Sequence, residues 1–244
     1  MRYAILGDIH ANLSALEAVL EALEPLGVDS ILSVGDLVGY GPSPREVLER
    51  VRAEGIVSVR GNHDEACSGQ IEPLFFSDSA RRVAEWTRGE LSDEEKRWLA
   101  SLPLTLDLEG CSLAHATYDY PREYRRVTTL RDARATLEQI PSRVCFVGHT
   151  HVPVAVLQRE VGSRELTFSV SNDLDLSETH RALINPGSVG QPRDEDPRAA
   201  FGIFDTETSR YQLHRVPYDI AREAERVRLA GIPGFLADRL ALGV

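Results

Sequence analysis

Five of the seven histidines, His10, His63, His115, His149 and His151, stand directly behind short apolar runs, and Asp8, Asp36 and Asn62 occupy the same kind of position. A single polar residue there ordinarily caps a helix or makes a turn. Eight of them, delivered by five successive runs, point to a shared site, because open α/β sheets bind ligands beyond the C-terminal ends of their strands. Imidazoles, carboxylates and one amide oxygen, with no thiolate among them, suit divalent ions such as Mn²⁺, Fe²⁺, Co²⁺, Ni²⁺ or Zn²⁺. Eight side chains exceed the needs of one ion. They match two ions sharing a bridging carboxylate, with one histidine left for proton transfer. Asp8/His10 and His149/His151 share an i, i+2 spacing, which in extended chain aims both members to one side. Gly7, Gly35, Gly61 and Gly148 precede these residues, where glycine permits the unusual backbone angles of a sharp strand-to-loop turn.

The elements that must position these residues are legible as pattern. Residues 3–6, 30–34 and 56–59 read as buried strands, each followed by Gly-Asp or Gly-Asn. Between the first two, Leu13, Leu16, Leu20 and Leu23 recur at helical spacing. Asn12 or Ser14 can cap that helix, Ser14 with Glu17 fits a capping box, and Pro25 and Gly27 end it. A second helix is expected over residues 44–51, and the alternation argues for βαβ units in a largely parallel sheet. Residues 79–101 are helical in pattern, with a capping box at Ser92 and Glu95. Residues 104–108 and 111–114 form a hairpin through Glu109-Gly110. A helix over 130–139 and a strand over 144–147 follow. Beyond them, 154–158, 166–170, 182–184, 201–204 and 211–216 read as strands of an antiparallel sheet, and helices over 220–229 and 235–240 close the chain. No linker or repeat interrupts it, so one α/β domain with two sheets is expected over residues 1–244.

Composition narrows the function classes. The chain has 244 residues, with 27 Lys+Arg against 38 Asp+Glu and a net charge of −11. That charge repels phosphate polymers and anionic lipid at long range, so neither a nucleic-acid polymer nor a membrane is an expected partner. No apolar stretch approaches the ~20 residues of a spanning helix, and the opening MRYAILGDIH lacks the form of a signal peptide. Three cysteines, Cys67, Cys111 and Cys145, include no CxxC pair. Their number suits a reducing compartment, and the expected location is the cytoplasm. Cys111 and Cys145 lie in apolar runs and read as buried thiols.

In order along the chain, Asp8-Ile9-His10, Gly35-Asp36-Leu37-Val38-Gly39, Gly61-Asn62-His63-Asp64, His115 and Gly148-His149-Thr150-His151 resemble the signature of the calcineurin-like metallophosphoesterase superfamily. The stretch Asn185-Pro186-Gly187-Ser188-Val189-Gly190-Gln191-Pro192-Arg193 is similar to its compact bacterial and archaeal phosphodiesterase branch. The resemblance implies an αββα sandwich of four layers, with two mixed β-sheets and a metal site at the strand C-terminal ends. It implies two divalent metal ions, manganese first and Fe, Ni, Co or Zn as alternatives. Asp8, His10 and His151 would hold one ion, Asn62, His115 and His149 the other, and Asp36 would bridge them. His63 would stay off the metals as the catalytic proton donor, its pKa near the ordinary ~6.5.

The implied activity is hydrolysis of small phosphodiesters or nucleotides by attack of a metal-bridging hydroxide. The alternatives are a phosphomonoesterase or a dinucleoside polyphosphate hydrolase, and, from another class, an inactive scaffold like the retromer member of the family. Such scaffolds tend to lose the histidine that is His63 here. Protein serine/threonine phosphatases carry GDxxDRG at the second block, where this chain has Gly39 and Tyr40, so the residue that orients His63 is not given and Asp64 is the adjacent candidate. The acidic surface then excludes only polymeric substrates, because two divalent ions against two aspartates leave the site positive.

The segment 117–126 follows His115 directly. Tyr118 and Arg122 are the expected substrate contacts there, a tyrosine to stack a base and an arginine to pair a second phosphate. The plainer reading is a surface loop with Glu123 balancing its charge. The 185–193 stretch reads as a structural turn, with Ser188 or Arg193 available to support the ligands or touch substrate. His180 and His214 match no motif and read as surface histidines.

Overall fold

Alternation within the first strand decides the layering. In β1 (Arg2–Leu6) Tyr3 and Ile5 point to one buried face and Ala4 and Leu6 to the other. Such a strand must be covered on both sides. The computed structural model describes residues 1–74 and 76–244. β1 pairs in parallel with β2 (Ser30–Ser33), which pairs in parallel with β3 (Val57–Ser58). On its other edge β1 meets β11 (Ala199–Asp205) antiparallel, followed by β12 (Arg210–Val216) and β9 (Asp173–Asp175). A second sheet runs in the order β4 (Thr105–Leu108), β5 (Cys111–Ala114), β6 (Val144–Phe146), β10 (Arg181–Asn185), β7 (Val154–Gln158) and β8 (Thr167–Ser169). In it β5, β6 and β10 are parallel and the other pairings antiparallel.

The two six-stranded mixed sheets stack on a core that includes Ile5, Leu32, Leu113, Phe146, Ile184 and Phe204. The rings of Phe146 and Phe204 meet edge to face at 5.4 Å, joining one sheet to the other. Helices α1 (Leu13–Leu23) and α2 (Pro44–Ala53) cover the outer face of the first sheet with Leu16, Val19, Val47 and Val51. α6 (Leu130–Gln139) covers the second through Ala133 and Leu137. The result is the expected four-layer αββα sandwich. Among the described residues no helix is long and apolar enough to cross a membrane.

Several local expectations change. The antiparallel strands are divided between the sheets: β11 and β12 return to the first, while β7, β8 and β10 join the second. β9 was not expected, since one buried leucine between two exposed aspartates is too short to show alternation. The helical stretch 79–101 is two helices, α4 (Asp78–Glu90) and α5 (Asp93–Ser101), separated at Leu91-Ser92, with the Ser92/Glu95 capping box formed. A short, wholly buried helix α3 (Asn62–Cys67) follows β3. α1 is capped by Asn12, whose Oδ1 accepts from Ala15 N–H; Ser14 instead donates to Glu223 Oε2 at 2.6 Å. Glu223 lies on α7 (Ile220–Leu229), which with α8 (Gly234–Leu240) packs against Val83 of α4 and Tyr40. All three cysteines are free and buried, and burial pushes the Cys111 thiol up to about 12.

Candidate metal centre and substrate cleft

The loops behind β1, β2, β5 and β6 converge at one end of the stacked sheets. Asp8, His10, Asp36, His149 and His151 all adopt positive φ, between 49° and 67°. Non-glycine residues pay a steric cost there, and such strain gathers at functional sites. The sequence reading placed the unusual angles on the preceding glycines, yet of those four only Gly35 has positive φ. Gly148 serves close approach instead: a Cβ there would lie 2.6 Å from Asp8 Oδ2.

Two donor groups result, Asp8/His10/His151 and Asp36/His115/His149. In the first, His10 Nε2 and His151 Nε2 lie 3.1 Å apart, and Asp8 Oδ1 is 3.4 Å from His151 Nε2. In the second, His115 Nε2 lies 3.2 Å from His149 Nδ1 and 3.0 Å from Asn62 Oδ1. Asp36 Oδ2 faces both groups, 3.6 Å from His10 Nε2 and 3.3 Å from His115 Nε2. Asp8 and His10 share one group while His149 and His151 divide between the two, as the resemblance implied, and all four sit on left-handed backbone where the i, i+2 argument for extended chain does not apply.

The chemistry of the donor set fits cations. His10, His115 and His151 each hold Nδ1 against a backbone carbonyl, Val38 at 3.1 Å, Val34 at 2.9 Å and Gln191 at 2.6 Å. A carbonyl only accepts, so each Nδ1 carries a proton; the neutral His10 and His151 rings turn a lone pair inward from Nε2, and His115 does so once its Nε2 proton is lost. Lone pairs and carboxylate oxygens a little over 3 Å apart repel one another unless positive charge stands between them.

The titration behaviour follows. Burial holds His10 and His151 well below the usual histidine range, and Arg193 adds to the effect. Burial and the charge of His115 bring His149 down to about 3. Burial also disfavours the His115 cation, but Asp36 and Asp8 outweigh it and raise that imidazole to about 9. Burial, opposed by His115 and reinforced by Asp36, raises Asp8 to about 7. For Asp36 the burial cost is outweighed by His115, His63 and His10, which hold it well below the carboxylate range.

His63 belongs to neither group. Its backbone N–H donates to Asp36 Oδ1 at 2.8 Å, and its ring lies between Tyr40 and Phe76 at 4.5 and 4.7 Å. Its Nδ1 is buried without a hydrogen-bond partner among the described residues, and a Cβ on Gly39 would be 2.5 Å from it. Gly39 therefore leaves room for the imidazole. Burial, with Arg193 and His115 adding to it, lowers His63 to about 4, which corrects the expected value near 6.5.

Asp64 is not its partner. Asp64 Oδ2 accepts from Asp36 N–H and Gly61 N–H, both at 2.9 Å, and Oδ1 from Leu37 N–H at 2.9 Å and Val38 N–H at 3.2 Å. One carboxylate ties the Asp36 loop to the start of α3. Its place three residues behind Gly61, the N3 position of a capping pattern, was the readable signal.

The 185–193 stretch supports the same loops. Ser188 Oγ donates to the Asp8 carbonyl at 2.7 Å, Asn185 Nδ2 to the Gly148 carbonyl at 2.8 Å, and Gln191 supplies the carbonyl that orients His151. His180 and His214 are half-buried and absent from the cleft lining, and His214 stacks on Phe201.

A cleft of about 700 Å³ opens over the donor groups, lined by Tyr40, Ile71 and Phe76 on its apolar side and by Arg122, Tyr124, Arg126 and Arg193 among its polar residues. Of the expected substrate contacts, Arg122 and Arg193 line this cleft. Tyr118 does not: its hydroxyl bonds Asp107 at 3.0 Å, and its ring packs on the α6 side of the second sheet. Tyr124 faces the cleft in its stead, its ring 5.9 Å from that of His115.

The family model for the calcineurin-like phosphoesterase superfamily domain matches residues 1–209. The chain belongs to that superfamily. A crystal structure of a metallophosphoesterase from Sphaerobacter thermophilus is 41% identical and superposes with a TM-score of 0.88, covering 100% of both chains. An uncharacterized protein of Methanocaldococcus jannaschii is 35% identical over 98% of this chain and 97% of its own. The phosphodiesterase YfcE of Escherichia coli K12 is 24% identical over 85% of this chain and 89% of its own. The matched span carries both donor groups and His63 of this phosphoesterase, while α7 and α8 follow it.

Proposed function

We propose that this protein is a dinuclear metal-dependent phosphodiesterase acting on small phosphate esters in the cytoplasm. The observation that carries the reading is Asp36 Oδ2, one carboxylate oxygen facing two donor groups at 3.6 and 3.3 Å. Asp8, His10 and His151 would hold one divalent ion, Asn62, His115 and His149 the second, and Asp36 both, with manganese as the first candidate. Two such ions, when bound, supply Lewis-acid activation of an attacking water and neutralise phosphate oxygens. The chain's own residues do the rest. The backbone carbonyls of Val38, Val34 and Gln191 hold the Nδ1-H groups of His10, His115 and His151, so Nε2 of each ring is the atom turned toward the donor groups. His63 is neutral near pH 7, and its unpartnered Nδ1 favours the tautomer with the proton on Nε2. It therefore meets a leaving oxygen as a hydrogen-bond donor, and becomes an acid only when the charge of a bound phosphate raises it. Arg193, over the Tyr40 ring at 5.6 Å, adds positive charge beside it. The cleft volume suits a small ester.

The test is hydrolysis of bis-p-nitrophenyl phosphate by protein reconstituted with Mn²⁺ or Ni²⁺, beside elemental analysis of bound metal. Two equivalents and turnover are expected, with Asp36→Asn losing metal and rate together. A loaded protein without turnover, or an Asp36→Asn variant that keeps both metals and full rate, overturns the reading.

A further inference from the structure

The charges around the cleft are nearly all spoken for. Glu65, 2% exposed, takes Arg60 and Arg122 at 3.3 Å each and the Tyr124 hydroxyl at 3.0 Å. Glu72 pairs with Arg88 at 3.2 Å, and Glu123 Oε2 accepts from Arg125 Nε at 2.6 Å. Arg193 also lacks a carboxylate partner, but its guanidinium is held by the neutral Gln191 amide oxygen, Nε to Oε1 at 3.2 Å. Arg126 lines the same cleft, is exposed, and makes no ion pair or side-chain hydrogen bond among the described residues.

Arg126 is nonetheless not on a loose loop. Two residues before it Tyr124 sits at φ 48°, a conformation a bulky side chain adopts only when its surroundings enforce it. The enforcing contact is the buried carboxylate of Glu65, which also grips Arg122. Glu65 lies on α3, the helix that begins with Asn62 and His63. The backbone that carries Arg126 is thus latched to the element that carries the reacting groups, while its guanidinium stays unpaired. The backbone is thereby placed in advance of binding, and a ligand has only the Arg126 side chain left to order.

We propose that Arg126 is a specificity-determining residue that binds a second anionic group, a phosphate or a carboxylate, carried by the substrate beyond its scissile phosphodiester. The planar fork of an unpaired guanidinium matches both groups bidentately. The inference rests on the phosphodiesterase reading above, and it narrows the substrate class to esters with one arm ending in negative charge.

The test uses three p-nitrophenyl alkyl phosphodiesters, identical except that the alkyl arm ends in methyl, carboxylate or phosphate. With manganese-loaded wild type, kcat/KM should be about tenfold higher for at least one anionic arm than for methyl at low salt, a margin typical of one charge-assisted contact. Arg126→Ala should bring that ratio to near one. Calorimetric titration with 2-carboxyethylphosphonate and ethylphosphonate gives a readout without turnover: the first should bind more tightly to wild type, and the margin should vanish in the variant. No anionic preference in wild type, or the same preference in Arg126→Ala, overturns the proposal. If wild type cleaves none of the three, the phosphodiesterase reading fails, and the calorimetric comparison decides the role of Arg126 by itself.

Discussion

Substitution of Asp64 by Asn separates two roles that are easily confused. Asp64 is fully buried and accepts four backbone N–H bonds, two at each carboxylate oxygen. Asparagine keeps one oxygen, enough for two of these donors, and turns an NH₂ group against the other two. A buried donor left without an acceptor costs about 1–3 kcal/mol, so two give roughly 2–6 kcal/mol. One term offsets part of this: burial and the nearby Asp36 raise the Asp64 carboxyl to about 7, and the amide removes that charge. The expected loss is therefore in the lower half, about 2–4 kcal/mol. For a chain of 244 residues at roughly 2–4 °C per kcal/mol, Tm should fall by about 5–15 °C. Thermal melts followed by circular dichroism, in chelator, measure this without metal linkage. Metal analysis of the reconstituted variant should show weakened binding as well, since Asp36 N–H and Gly61 N–H hang on the same oxygen. A melt within 2 °C of wild type, combined with a large fall in turnover at full metal content, would refute the reasoning and return Asp64 to the role of His63's partner.

Gly39→Ala places a Cβ 2.5 Å from His63 Nδ1 on backbone at φ 86°; turnover of bis-p-nitrophenyl phosphate should drop at least tenfold while both metals stay bound, and an unchanged rate would show that ring packing does not set His63. Tyr118→Phe removes only a bond to Asp107 outside the cleft, so steady-state kinetics should match wild type, and a raised KM would restore Tyr118 to the substrate site. The His63 imidazole has its folded pKa lowered from 6.5 to about 4, so its stabilising contribution is full above pH 6.5 and is lost as pH falls toward 4. In chelator, wild type should accordingly lose about 2 kcal/mol relative to His63→Gln between pH 7.5 and pH 5, from about 1.5 pH units at 1.36 kcal/mol each; urea melts at the two pH values that differ equally would count against it.

Much of the site is written in local pattern. Apolar runs of strand length ending in Gly-Asp, Gly-Asn or Gly-His announce both the strands and the side chains behind them, because a buried strand and the polar turn that ends it are adjacent in sequence. The Ser92/Glu95 capping box and the helices over 13–23, 44–53 and 130–139 are equally local. Legibility stops where a side chain's direction is set by one dihedral. Tyr118 and Tyr124 look alike in the sequence, yet Tyr124 at φ 48° enters the cleft while Tyr118 turns to Asp107.

By itself, then, the sequence determined which residue types reach the end of the sheets and that their chemistry suits divalent ions. The order of strand and helix periods implied one α/β domain with two sheets, and the resemblance to the superfamily implied its αββα layering. Tertiary structure alone decided that one oxygen of Asp36 lies between groups drawn from residues up to 143 positions apart in the chain. It decided that burial keeps His63 neutral, that Asp64 holds a loop and not an imidazole, and that Arg126 is left unpaired among the described residues. The physical reason is common to all four. Distance, dielectric and hydrogen-bond supply at a buried point are sums over segments far apart in the chain, and no window of sequence contains them.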